Sequence, residues 1–235
     1  MKYLICFDMD RVLVDHLSTW QYVYDQLGIN NDDAFDLYNQ GKLDEWNWLK
    51  LDLALLKRSF PEINDEKLRS LCVGTPLMKG LEECIGWLFA NGHEVAIISG
   101  GMQETATEIA NKFPSGKRWE RRWGGIDNCE IDTKMYVFTN GWLKLIDGGI
   151  DNFGRYQVQM NGKGSIVRIL QRRLAIPRER TISIGDSSGD IGMFEQSGLS
   201  ICFNPLDDKP TKVATITIEE KNLCRVLEAI QNFME

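Results

Sequence analysis

The sequence predicts an α/β fold: a doubly wound, Rossmann-like parallel sheet core with an inserted, smaller helical cap subdomain. Three observations carry this expectation. Short apolar runs at 3–7, 94–98 and 181–184 show no polar/apolar alternation, as strands buried on both faces do. Stretches of helical spacing stand between them, so successive strands should run parallel, joined by helical crossovers. The segment 15–75 breaks that alternation and reads as helix after helix.

The first strand, 3–7, is cut off by Asp8. In the helical segment, Leu17, Trp20, Tyr24 and Leu27 recur at three- and four-residue steps before Gly28 ends the first helix. A second helix covers 32–39. The third, 44–58, carries Trp46, Leu49, Leu53 and Leu56 on one stripe and Trp48, Leu51 and Leu55 on another, so it is covered on most sides. Pro61 and Asn64 introduce a fourth at 65–72, and Gly74-Thr75-Pro76 marks the return linker. Residues 1–14 and 76–235 then form the core, and 15–75 the cap. The core continues with helices at 81–91, 103–113, 164–174 and 189–196, and with strands at 199–203 and 216–218. Between them, apolar runs 135–139 and 142–146 flank Asn140-Gly141, the signature of a β-hairpin with a type I′ turn. The basic segment Lys117–Trp123, KRWERRW, reads as a solvated face more readily than as an anion site.

Composition narrows the function classes. The 235 residues are 43% hydrophobic and 26% charged, with 27 Lys+Arg against 34 Asp+Glu and a net charge of −7. Such an acidic balance argues against a nucleic-acid or anionic-membrane partner. No apolar run approaches the roughly 20 residues that a membrane span needs. No secretory leader is recognisable, so a cytoplasmic location is expected. Cys6, Cys72, Cys84, Cys129, Cys202 and Cys224 lack CxxC spacing and read as reduced thiols.

Four local signals carry the chemistry: Asp8-Met9-Asp10, Ser99-Gly100-Gly101, Lys163-Gly164, and Gly185-Asp186-Ser187-Ser188-Gly189-Asp190. Each lies just past a strand end or at a helix start, where an α/β sheet collects its site. Singly, most have an ordinary structural reading as turns, caps or a surface lysine. Together they pose an electrostatic problem, because Asp8, Asp10, Asp186 and Asp190 on one sheet edge repel one another. A divalent cation and Lys163 resolve it. Magnesium suits a few carboxylate oxygens whose remaining positions go to water and phosphate.

In order and spacing, FDMD, IISGG, MNGKG and ISIGDSSGD resemble the four motifs of the haloacid dehalogenase superfamily, a group made mostly of phosphatases that act through an aspartyl-phosphate. The helical insert, the doubled glycine and Met193-Phe194 resemble the phosphoserine-phosphatase-like branch, and the resemblance spans essentially the whole chain. It implies Asp8 as nucleophile and Asp10 as general acid/base whose main-chain carbonyl also ligates the metal. It further implies Ser99 and the Gly100 amide as phosphate cradle, and Lys163 as the cation screening nucleophile from substrate. Asp8, Asp10, Asp186 and Asp190 would form the Mg2+ site.

Three positions depart from the pattern. Arg11 stands where relatives carry Gly or Ser, and would add a phosphate or substrate contact or narrow the entrance. Gly189 replaces a usual Asn. Leu17 matches the Glu with which phosphoserine phosphatases recognise the substrate ammonium, and a leucine cannot form that pair. The resulting expectation is a magnesium-dependent phosphatase, monomer or homodimer, hydrolysing a small phosphorylated metabolite. The alternatives are a phosphotransferase using the same intermediate and a non-catalytic phosphate-binding protein of the same fold.

Overall fold

The computed structural model describes residues 1–115 and 133–235. The segment 117–123 and Cys129 lie outside the described residues. Six parallel strands make one sheet: β1 (Leu4–Phe7), β2 (Glu94–Met102), β3 (Tyr136–Asn140), β4 (Thr181–Gly185), β5 (Leu199–Phe203) and β6 (Ile216–Ile218), in the order β3-β2-β1-β4-β5-β6. From β1 the chain builds outward through β2 to β3, then returns to the other side of β1 with β4. The switch point therefore lies between β1 and β4, where doubly wound sheets open a crevice. Phe7 pairs with Ile184 there, and the Asp8 N–H donates to the Ile184 carbonyl at 2.9 Å.

The short central strands are held by burial on both faces. Ile5 and Phe7 pack with Leu81, Ile85 and Leu88 of α5 (Leu81–Ala90) and with Val226 and Ile230 of the C-terminal helix Leu223–Met234. Leu4 and Cys6 face the opposite way, toward Val167 and Leu170 of α7 (Lys163–Leu174). That C-terminal helix, α10, has no counterpart in the sequence reading. Helix α6 (Gln103–Asn111) follows β2 directly. Of the stretch expected as one helix at 189–196, only a 3₁₀ turn at Ser188–Asp190 and the short α8 (Ile191–Phe194) form, and the short α9 (Asp208–Thr211) comes later in the chain.

Between β1 and α5 come α1 (Thr19–Leu27), α2 (Asp32–Asn39), α3 (Glu45–Ser59) and α4 (Asp65–Cys72). Ser18, Asp44 and Asn64 cap three of them through side-chain oxygens that accept main-chain N–H groups, and Gly28 ends α1 at φ 64°. Their apolar faces share a cluster of Val23, Leu53, Leu56, Leu68 and Cys72 with Met102, Trp142 and Ile150.

The hairpin expected around Asn140-Gly141 does not form. Tyr136–Asn140 is instead the edge strand of the parallel sheet, paired with β2. A type I′ turn needs positive φ at both central residues, and neither Asn140 nor Gly141 has it. Asn140 is occupied otherwise: its Oδ1 accepts from the Gln157 and Val158 N–H groups, and its Nδ2 donates to the Val158 carbonyl. The chain after Gly141 turns back later, at Leu145–Gly149, and makes only isolated antiparallel bridges at Gly141–Arg155 and Lys144–Ile150. No helix among the described residues is long and apolar enough to cross a membrane.

Candidate active site

Each of the four sequence signals sits at the carboxyl edge of the sheet or at the start of α7. Asp8 follows β1, Asp186 follows β4, and the 3₁₀ turn behind it carries Asp190. The Asp8, Asp186 and Asp190 carboxylates are buried and offer oxygens within 4.8 Å of one another. Lys163 comes from the first turn of α7 and is only 3% exposed. Its Nζ lies 2.9 Å from Asp8 Oδ1 and 2.7 Å from Asp190 Oδ1.

Fixed donors hold the carboxylates in place. Asp8 Oδ1 accepts the Met9 N–H at 2.7 Å. Asp190 Oδ2 accepts the N–H groups of Asp186 and Ser187, at 2.9 and 3.1 Å, and the Ser187 hydroxyl. Gly185 is required behind this turn, because a Cβ there would strike the Asp190 side chain. Close contact between α7 and α8 likewise needs Gly164, whose Cβ would collide with the Gly192 carbonyl.

Asp10 Oδ1 accepts the Thr19 N–H at 2.9 Å, and Thr19 Oγ1 accepts the Met102 N–H at 2.8 Å. The start of α1 is thereby tied to both Asp10 and β2. Ser99 and Gly100 lie inside β2, where a register shift between Ile98 and Met102 interrupts the ladder. The sequence reading ends that strand at Ile98; it continues through the glycines as an irregular segment. Ser99 is buried and its Oγ accepts the Gly101 N–H at 3.1 Å. The Gly100 carbonyl accepts from the Trp20 indole at 3.3 Å.

Arg11 donates through Nε to Asp186 Oδ2 at 2.9 Å and through Nη2 to the Asn204 carbonyl at 2.8 Å. Leu17 is 54% exposed. His16 stays local, with Nδ1 3.1 Å from the Ser18 carbonyl and Nε2 3.2 Å from Asp25. Trp46, Lys57 and Asp52 on α3 are engaged with Phe153, Asn152 and Asn31 respectively.

Sequence reasoning missed Thr19, Asn204 and Glu45. Thr19 is legible in part, since Ser18-Thr19 precedes a helical pattern as capping residues do. Glu45 Oε2 accepts from the Tyr156 hydroxyl at 3.0 Å and from the Met160 N–H at 2.8 Å, joining α3 to the turn that leads into Lys163. No local pattern announces that contact.

Burial, with neighbouring charge second to it, governs the titration of the site. Burial, against the pull of Lys163 and with the push of Asp190, raises Asp8 to about 6. Burial and then the Asp8 charge raise Asp10 to about 7. Asp186 is pushed up to about 9 by burial, Asp8 and Asp190. For Lys163, burial disfavours the ammonium, but Asp190 and Asp8 outweigh it and shift the group upward. The buried Asp8, Asp186 and Asp190 carboxylates thus stand beside two cations, Lys163 and Arg11. Carboxylates outnumbering cations in an all-oxygen donor set fit one hard divalent cation.

Fold and site define a doubly wound α/β protein with a buried lysine–carboxylate centre at its switch point. Residues 158–230 match the family model of haloacid dehalogenase-like hydrolases. The chain is 28% identical over 233 residues to the phosphoserine phosphatase of Methanocaldococcus jannaschii, covering 98% of both proteins. It is also similar to a substrate-bound phosphoserine phosphatase complex, with a TM-score of 0.74, 26% identity and 97% and 98% coverage. A phospho-aspartyl intermediate analogue of phosphoserine phosphatase superposes with a TM-score of 0.71 at 27% identity, over 97% of this chain and 98% of that one. The chain is thus similar to the haloacid dehalogenase-like hydrolases, and among them to the phosphoserine phosphatases, and these likenesses support a phosphoric monoester hydrolase.

Proposed function

We propose that the protein is a magnesium-dependent phosphatase that hydrolyses a small phosphomonoester through an aspartyl-phosphate on Asp8. The observation that carries this reading is the buried Lys163 ammonium shared between Asp8 and Asp190 beside Asp186. An anionic nucleophile can meet an anionic substrate only where such charge is offset.

Asp8 Oδ1 is held by the Met9 N–H and Lys163, so Oδ2 is the oxygen presented for attack. It bonds to phosphorus as the ester P–O bond breaks, and the leaving alkoxide takes a proton from Asp10. Asp10, raised to about 7, is poised to give that proton near neutrality and to take one back. A water then attacks the aspartyl-phosphate and passes its proton to Asp10; inorganic phosphate leaves, and Asp8 is restored. Ser99 and the Gly100 N–H would bind the phosphoryl oxygens. Asp8, Asp186 and the Asp10 carbonyl would hold the Mg2+, which when bound neutralises negative charge on phosphate and carboxylates. Asp190, whose Oδ2 already accepts three donors, would fix Lys163 and the Asp186 loop and contact the metal through its waters. Helices α1–α4, residues 15–75, would act as a cap that excludes bulk water. The substrate class stays at small phosphomonoesters, since an exposed Leu17 offers an ammonium group no partner.

The test is phosphate release from p-nitrophenyl phosphate and from a panel of phosphorylated metabolites. Activity should stop with EDTA, return with Mg2+ and vanish in Asp8→Asn. Turnover retained by Asp8→Asn would remove it as nucleophile, and phosphate moved to an added alcohol rather than water would point to a transferase.

A further inference from the structure

Arg11 stands against the acidic cluster without a part in the chemistry above. Its Nε donates to Asp186 Oδ2 at 2.9 Å, and its Nη2 reaches the carbonyls of Asn204 at 2.8 Å and Pro205 at 3.3 Å and Asn204 Oδ1 at 3.3 Å. Asn204 Nδ2 answers by donating to the Arg11 carbonyl at 3.1 Å. Both residues sit in the left-handed region, at φ 61° and 48°. Backbone strain of that kind persists where surrounding contacts over-determine it. The clamp spans the loops after β1 and β5 and fixes the guanidinium on Asp186.

We infer that Arg11 is a built-in counter-ion that sets the affinity of the cluster for its divalent cation. The inference rests on the reading of the cluster as a cation site. Two effects oppose each other. Arg11 neutralises part of the charge that drives metal binding, and it repels a dication that shares Asp186 with it. It also orients Asp186, and partners of metal ligands commonly favour binding by about 10–100-fold. Here the backbone and burial already restrict Asp186. Its N–H donates to Asp190 Oδ2 at 2.9 Å and its carbonyl accepts the Leu206 N–H at 2.8 Å, which fixes the main chain, and the side chain, 4% exposed, has little room to turn. Charge therefore dominates, and loss of Arg11 tightens metal binding.

Mn2+ binding to the EDTA-treated full chain, followed by electron paramagnetic resonance without substrate, tests this, with Mg2+ as competitor. Arg11→Gly suits the left-handed backbone, Arg11→Gln removes the charge at similar size, and Arg11→Lys keeps it. Circular dichroism checks that each is folded. The Gly and Gln variants should bind about tenfold tighter than wild type or better, and Arg11→Lys should match wild type. Unchanged or weaker binding in Arg11→Gln overturns the inference, as does equal tightening in Arg11→Lys. A different pattern, in which wild type binds no Mn2+ or Asp186→Asn binds as well as wild type, instead overturns the cation-site reading and the inference with it.

Discussion

Replacing Lys163 with Met removes one buried charge and keeps most of the side-chain volume. The Nζ it deletes lies 2.9 Å from Asp8 and 2.7 Å from Asp190, in a residue 3% exposed. Breaking a buried ion pair by removing one partner costs about 3–5 kcal/mol, because the remaining charge is left uncompensated. Two carboxylates lose their cation here, but Asp8, already raised to about 6, can take up a proton and recover part of the loss. That places the cost near the lower end, about 3 kcal/mol at pH 8. The lysine itself, with its pKa raised, stays charged throughout the neutral range, so the pH dependence comes from Asp8. Without Lys163 the Asp8 pKa rises further, and the folded variant binds more protons than folded wild type above about pH 6. The variant's deficit should therefore be largest in alkali and shrink by about half at pH 5, where Asp8 is mostly protonated in both proteins. Urea denaturation of EDTA-treated protein at the two pH values measures it. Adding Asp8→Asn to the variant should recover about 1 kcal/mol or more at pH 8 by removing the stranded charge. A denaturation midpoint unchanged at pH 8, or a deficit equal at both pH values, refutes the argument that Lys163 offsets the cluster.

Asp52 on α3 tests the same electrostatics away from the site. Burial raises its carboxyl from 3.8 to about 6, so the folded chain holds the proton more tightly than the unfolded one. Stability then falls as pH rises from about 4 to about 6, and about 3 kcal/mol remains lost above that window. Asp52→Asn should gain that amount on wild type between pH 4 and pH 7 by urea denaturation, and a pH-independent difference would contradict the assignment. In Gly101→Ala the new methyl would lie 2.5 Å from Met9 Cε, 2.6 Å from Thr19 Oγ1 and 2.8 Å from Asp10 Oδ2. Overpacking should cost about 1–3 kcal/mol, and displacement of Asp10 should lower kcat by about 100-fold with KM nearly constant. Wild-type kcat in that variant would argue against proton transfer by Asp10.

Local pattern revealed what local physics determines. The apolar runs of β1, β4, β5 and β6, the Asn64 signal before α4, and the carboxylates past strand ends are all properties of a few neighbouring residues. The edge strand β3 was misread because an apolar run before Asn-Gly fits a hairpin equally well, and only pairing with β2, some forty residues away, decides between them. Ser99 to Gly101 looked like a turn after a strand because glycine signals freedom; the strand continues, and Gly101 is there to let Met9, Thr19 and Asp10 approach. Arg11 offered no hint of its destination. Its acceptors lie 175 to 194 residues further on, and a long flexible cation next to two aspartates has several plausible partners until packing selects one.

The same donors that make the cluster tolerable also make it directional. A carboxylate offset only by bulk ions would be free to rotate and to be protonated from either face. Asp8 instead has Oδ1 fixed by a main-chain N–H and an ammonium, and Asp190 has both oxygens engaged. These bonds come from main-chain N–H groups at the strand ends and from a buried lysine on the first turn of α7, so the ordering entropy is met by folding and not at the moment of reaction. A doubly wound sheet supplies this arrangement because its switch point sets two strand ends side by side and leaves their following N–H groups aimed into one crevice. The helices inserted after β1 add to the same economy: α1 begins on Asp10 through Thr19, and α3 reaches the turn before Lys163 through Glu45. Any movement of those helices relative to the sheet therefore acts on Asp10 and on the turn before Lys163 together.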